Sequence, residues 1–168
     1  KFIPKRITRS SLAIIGNNLL FIHGQDNSSI GIYNLITQEV AVAEGSMQDY
    51  SDTHILLQTQ KEDERTLSVV EIANPANKYN IISTTNRLND AAISPSGTKV
   101  AFSMIDQNDY EVYVADLKGN ITRVSNEIQH DRFPKFLDED RIIAAKGEGR
   151  HRRSFMYNLE TGEMTKLF

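Results

Sequence analysis

Tyr33-Asn34-Leu35-Ile36-Thr37-Gln38-Glu39-Val40 returns late in the chain as Tyr157-Asn158-Leu159-Glu160-Thr161-Gly162-Glu163-Met164. The two copies stand 124 residues apart, three steps of about 41. Val70-Glu71-Ile72 and Ala115-Asp116-Leu117 fall where the intermediate steps require them. Each copy is a short apolar run that enters a polar turn and leaves it again, the pattern of two strands joined by a hairpin.

Working outward from these anchors, each repeat divides into four short strands, A to D. The B strands are residues 19–23, 55–59, 100–103 and 142–145, each apolar and preceded by a turn: Gly16-Asn17-Asn18, Ser51-Asp52-Thr53, Pro95-Ser96-Gly97-Thr98 and Asp138-Glu139-Asp140. Gly, Asn and Asp accept the positive φ of tight turns. Near-continuous apolar B strands imply burial on both faces. The C strands are 30–35, 67–72, 111–117 and 154–159, and the D strands 39–43, 79–83, 121–124 and 163–168. The A strands, 12–15, 47–50, 90–94 and 132–136, are less regular, and Pro134 requires an edge or a strand end. No window shows a helical period. The chain reads as all-β: a β-propeller of four blade-like repeats, each of four antiparallel strands. The blades are expected at 10–45, 46–86, 87–127 and 128–168, after an N-terminal segment 1–9 that suits the outer strand of another blade.

The third repeat is the most specific. Asp90-Ala91-Ala92-Ile93-Ser94-Pro95-Ser96-Gly97-Thr98-Lys99-Val100-Ala101-Phe102 resembles the A-turn-B segment of TolB-like, or WD-like, propeller repeats. Glu111-Val112-Tyr113-Val114-Ala115-Asp116-Leu117-Lys118-Gly119-Asn120 is similar to their C-turn-D segment. Ser96 replaces the usual Asp of the turn, and Arg132-Phe133-Pro134-Lys135-Phe136 keeps the Pro and an aromatic but not the turn. The resemblance implies rings of six or more blades. Four blades are therefore expected to be part of a larger propeller. A genuine four-bladed ring and a ring completed by two copies are the other arrangements, and open blade edges would favour self-association. The start at Lys1 fits a piece of a longer chain, or one from which a leader was removed.

Composition narrows the function classes. The 168 residues carry a formal charge of -3 and are 39% hydrophobic. That balance argues against nucleic acid as the main partner. No apolar run is long enough for a membrane span. The absence of cysteine excludes disulfides and thiolate metal sites. There is no nucleophile elbow and no phosphate loop, and Gly147-Glu148-Gly149 lacks the third glycine of a dinucleotide fingerprint. His23, His54, His130 and His151 are scattered, so no metal or other cofactor is expected. Asp106, Asp109 and Glu111 form an acidic group that reads as a solvated loop rather than a calcium site. Asp138, Glu139 and Asp140 read as turn formers. Asn27-Ser28-Ser29 and Asn120-Ile121-Thr122 match the glycosylation pattern, one that chance supplies often.

The B-to-C loops are the better functional candidates, because loops on a rigid scaffold carry binding. They cover 24–29, 60–66, 104–110 and 146–153. Residues 60–66 sum to -1, 104–110 to -2 and 146–153 to +3. Lys146, Arg150, His151, Arg152 and Arg153, with Asp106, Asp109 and Tyr110 on the neighbouring loop, are the expected partner contacts. The inner strands offer Asp49, Asp90 and Arg132, too few for a mechanism of their own such as that of a lactonase or glycosidase. The leading expectation is a non-catalytic scaffold for protein partners, within a multi-protein complex. By the TolB-like resemblance it belongs in a bacterial envelope or periplasm. The alternative is the propeller domain of a prolyl oligopeptidase-like serine hydrolase whose catalytic domain is not in this chain.

Overall fold

The computed structural model describes residues 13–23, 28–126 and 129–168. The N-terminal segment 1–9, the Leu12 end of the first A strand, most of loop 24–29 with its Asn27 pattern, and Glu127 and Ile128 lie outside them. Among the described residues every regular element is a strand, apart from one 3-10 turn at Gly149–His151. No helix among them is long and apolar enough to cross a membrane.

The first sheet holds β1 (Ala13–Ile15), β2 (Asn18–His23), β3 (Ser29–Asn34) and β4 (Val40–Glu44). The second holds β5 (Ser46–Tyr50), β6 (His54–Lys61), β7 (Glu64–Glu71) and β8 (Lys78–Thr84). The third holds β9 (Leu88–Ile93), β10 (Lys99–Asp106), β11 (Asp109–Asp116) and β12 (Ile121–Arg123). The fourth holds β13 (Asp131–Phe136), β14 (Arg141–Lys146), β15 (Arg153–Asn158) and β16 (Met164–Lys166). Within each sheet the strands lie in chain order, antiparallel throughout, which is the blade topology expected from the repeat.

The apolar B strands are explained by what lies on either side of them. Ile55, Leu56 and Leu57 are consecutive in β6, and all three are 0% exposed. Ile55 and Leu57 pack with Leu20, Ile30 and Ile32 of the first sheet. Leu56 points the other way, into Val100 and Phe102 of the third. The alternation repeats in β10: Val100 and Phe102 face the second sheet while Ala101 faces Ile142 and Ala144 of the fourth. Each buried Leu or Ile contributes about 2 kcal/mol, so the blades are held mainly by one another.

Polar contacts between A–B turns reinforce the stack at a 43-residue spacing. The Thr53 hydroxyl donates to the Ser96 carbonyl at 3.2 Å. The Ser96 N–H and hydroxyl donate to the Glu139 carboxylate at 2.5 and 2.9 Å. Lys99 adds an ion pair with Asp140 at 3.1 Å. Asp138 is the turn former expected of it, accepting the backbone N–H groups of Asp140 and Arg141.

The A strands are irregular for a reason that composition does not show. In β9, Asp90 and Ala91 together oppose Phe102. In β13, Phe133 and Pro134 together oppose Ala144. The first bulge residue is left-handed in both, with φ of 52° at Asp90 and 59° at Phe133. Glycine is the usual residue there. The bulge also removes the demand for a ladder N–H at Pro134.

Gly97 has φ +79°, and a Cβ on it would lie 2.2 Å from Nδ1 of His54 in the preceding blade. Gly97→Ala is expected to cost at least ~2 kcal/mol, because the left-handed conformation and the clash add. Gly162 shares the conformation, with φ +71° and open space around it; Gly162→Ala is expected to cost ~1 kcal/mol. Urea unfolding compares the two, and equal losses would contradict the inter-blade role of Gly97.

Candidate functional site

Strand order puts the A–B and C–D turns at one end of the blades and the B–C and D–A connections at the other. The turn ladder lies at the first end, as does a cavity of about 340 Å³ between the third and fourth blades, lined by Lys99, Asp116, Asn120, Asn158 and Leu159. At the second, β6–β7 and β10–β11 close with two residues each, and Glu62 and Gln107 take φ of 53° and 55°. The β14–β15 connection instead spends residues 147–152 on a longer loop containing the 3-10 turn.

That loop meets the bulges of the inner strands. Arg132, on β13, donates from Nε to the Asp90 carboxylate of β9 at 2.9 Å, and the Ser103 hydroxyl donates to the same oxygen at 2.9 Å. The Arg132 guanidinium lies 4.6 Å from the Tyr110 ring centroid and 4.7 Å from that of Phe133. Arg152, leaving the 3-10 turn, brings its guanidinium to 5.0 Å from the same Phe133 ring. Asn89 fixes Tyr110 by donating to its hydroxyl at 2.8 Å. Two guanidiniums thus share one ring that is 42% exposed, with a single carboxylate bonded to the pair among the described residues.

His130 ties the two loops together. Its Nδ1 accepts the Tyr110 N–H at 3.0 Å, so the ring proton sits on Nε2, 3.1 Å from Glu148 of the long loop. Asp109 approaches the same ring at 3.4 Å.

The residues singled out from sequence fall into distinct surroundings. Arg150 and His151 are exposed on the 3-10 turn. Arg153 donates to the Arg152 carbonyl at 3.0 Å, bracing the loop. Tyr110 and Arg152 join the aromatic cluster, and Asp109 sits at its edge. Lys146 is buried, its ammonium 5.6 Å from the Phe155 ring centroid. Asp106 turns to Arg123 at 2.8 Å, and Glu111 meets the same guanidinium at 2.6 Å. The expected solvated acidic loop is thus corrected: Glu111 is buried, it and Asp106 share the Arg123 guanidinium, and Asp109 turns to His130. Among the described residues no group of three or more His, Cys, Asp or Glu is placed to hold a metal. Phe133, His130 and Glu148 were not among the expected contacts. Phe133 had a signal in the spacing, since it stands one blade after Asp90 at the matching bulge; His130 and Glu148 had none.

Behind the cluster, Asp131 is fully buried opposite Lys146 in the β13–β14 ladder. The Tyr157 hydroxyl reaches its Oδ1 at 3.4 Å, whereas Oδ2 has no hydrogen-bond partner among the described residues. Burial pushes the carboxyl up from 3.8 to about 6, and the nearby Lys146 charge only partly offsets it.

No protein-family model matches the chain, and no curated protein matches it either. Solved structures do. A TolB of Agrobacterium tumefaciens superposes with a TM-score of 0.66 at 11% identity, over 90% of this chain and 60% of that one. The oligogalacturonate lyase of Vibrio parahaemolyticus gives 0.66 at 13% identity, over 90% and 50%. The β-propeller domain of the Trilobed protease of Pyrococcus furiosus, described as having an open velcro topology, gives 0.62 at 14% identity, over 99% and 58%. The likeness is one of fold: the chain folds as blades of a TolB-like β-propeller. It spans 60% or less of each of these three structures.

The raised Asp131 value has a direct consequence for stability. The native state keeps a proton that the unfolded chain releases, so the contribution of Asp131 falls as pH rises from 3.8 to about 6. Asp131→Asn removes that titration. The difference in unfolding free energy between the two proteins is expected to move in favour of the variant across this window. Denaturant melts at a series of pH values test it, and a pH-independent difference would contradict it.

Proposed function

We propose that these blades, with limits at 10–45, 46–86, 87–127 and 128–168, belong to a larger propeller that acts as a non-catalytic scaffold. It docks protein partners at the end carrying the B–C and D–A connections. The observation behind this reading is the unequal use of the two ends. At one, the A–B turns of the last three blades bond to one another through Thr53, Ser96 and Glu139. The other presents the long 147–152 loop with Arg150, His151 and Arg152 beside an exposed aromatic ring. Loops of that kind on a rigid sheet scaffold are where partners bind, and their charge steers association. Likeness to TolB structures supports an envelope assembly as the setting.

A second reading, the propeller domain of a serine peptidase, is favoured by the match of 99% of this chain to the propeller of a protease. It requires a Gly-x-Ser-x-Gly segment with Asp and His elsewhere in the same polypeptide.

The test is quantitative crosslinking from the full-length polypeptide in its native cells. Replacing Arg150, Arg152 and Arg153 together by Glu is expected to reduce partner recovery at least ~10-fold and to abolish its salt dependence, as losing a steering patch does. Unchanged recovery and salt dependence would contradict the scaffold reading.

A further inference from the structure

We infer that Phe133 and the two guanidiniums upon it form a binding site for a side-chain carboxylate of an acidic protein segment. The inference rests on the scaffold reading, and it names the chemical group that the scaffold grips.

The first support is the conformation of Phe133. A bulky side chain at φ 59° is disfavoured, because its Cβ crowds the following carbonyl oxygen. Asp90, at the matching place one blade earlier, tolerates a similar φ because its short polar side chain can bond locally. Phe133 has no such compensation, and its ring is neither buried in the blade core nor packed between sheets. The bulge holds it outward as a platform.

The second support is the charge balance at that platform. Arg132 is fixed in place by Asp90 and by the Tyr110 and Phe133 rings. Its hydrogen bond to Asp90 uses Nε alone. Arg152 stacks on the ring without a carboxylate partner among the described residues. One acid therefore serves two guanidiniums, and the ring shields one side of each from water. Guanidinium carries only donors, arranged in a planar fork that matches a pair of carboxylate oxygens. A carboxylate placed at Arg152 supplies the missing charge and forms its hydrogen bonds beside an apolar surface, where they are strongest. Asp109 and Glu148 bracket His130 at the edge of the cluster and do not reach Arg152.

The test is fluorescence polarisation of the full chain with a fluorescein-labelled hexaglutamate peptide. Uncharged hexaglutamine and inorganic phosphate serve as competitors. Arg152→Gln removes one charge from the site. Phe133→Gly keeps every charge and accepts the positive φ, so it removes the platform without threatening the fold. Arg87→Gln removes one exposed charge elsewhere on the same end of the blades. Hexaglutamate is expected to bind saturably and hexaglutamine not to compete. Arg152→Gln is expected to weaken binding at least ~10-fold, the loss of one charge-assisted contact, and Phe133→Gly by as much, because the contact then forms in open water, while Arg87→Gln changes it less than ~2-fold. If Arg87→Gln weakens binding as much as Arg152→Gln and Phe133→Gly does nothing, a diffuse field binds the peptide and the inference falls. Displacement by phosphate as effective as by unlabelled hexaglutamate would also overturn it, in favour of a phosphate site. Failure here, with partner recovery still sensitive to charge reversal, removes this inference and leaves the scaffold standing. Selective hexaglutamate binding, with partner recovery unaffected, does the reverse.

Discussion

Thr53, Ser96 and Glu139 occupy the same place in three successive blades, and hydrogen bonds link each to the next. Their spacing of 43 residues is close to the repeat of about 41, and the contacts fix how the second, third and fourth sheets sit on one another. The apolar B strands supply most of the energy, because both faces of β6 and β10 are covered. Hydrophobic burial is non-directional, however, and the turn ladder supplies the direction. Gly97 belongs to the same constraint, since the His54 side chain of the preceding blade occupies the space a side chain there would need.

The ladder joins A–B turns at one end of the blades, and the connections at the other end carry no such repeated contact. With the A–B turns of the last three blades bonded to one another, length varies instead among the B–C connections. Two blades close with two-residue hairpins and the fourth with a six-residue loop, 147–152. The bulges of β9 and β13 turn side chains toward that end, Asp90 toward Arg132 and Phe133 toward Arg152. Strain in the inner strands and charge in the outer loop therefore converge on one spot. Buried Asp131, beneath it, adds a group whose ionisation the fold resists.

The sixteen strands among the described residues were largely legible in sequence because period-two alternation and Gly, Asn and Asp turns are local signals. The triplet Tyr157-Asn158-Leu159 and its earlier copies set the period, and the period pointed to the architecture. The bulges were hidden, since Asp90 and Phe133 hold positive φ without the glycine that advertises it. The site was only half visible. Arg152 and Tyr110 stood out as charged or aromatic loop residues, but Phe133 read as part of a strand and Lys146 as a surface charge although it is buried. Long-range neighbours were encoded in the repeat itself: Asp49 with Ile93, Asp90 with Arg132 and Thr53 with Ser96 lie 44, 42 and 43 residues apart. In stacked blades, one period plays the part that three or four residues play along a helix.

The central claim is that these blades present a partner-binding end within a larger non-catalytic propeller. A structure of the full-length polypeptide with its native partner bound tests this most directly. The account predicts further blades continuing the stack and a partner seated on residues 107–110 and 147–153, with an acidic side chain against Arg152 and Phe133. A hydrolase domain covering that end, with a serine nucleophile facing the channel, would contradict it.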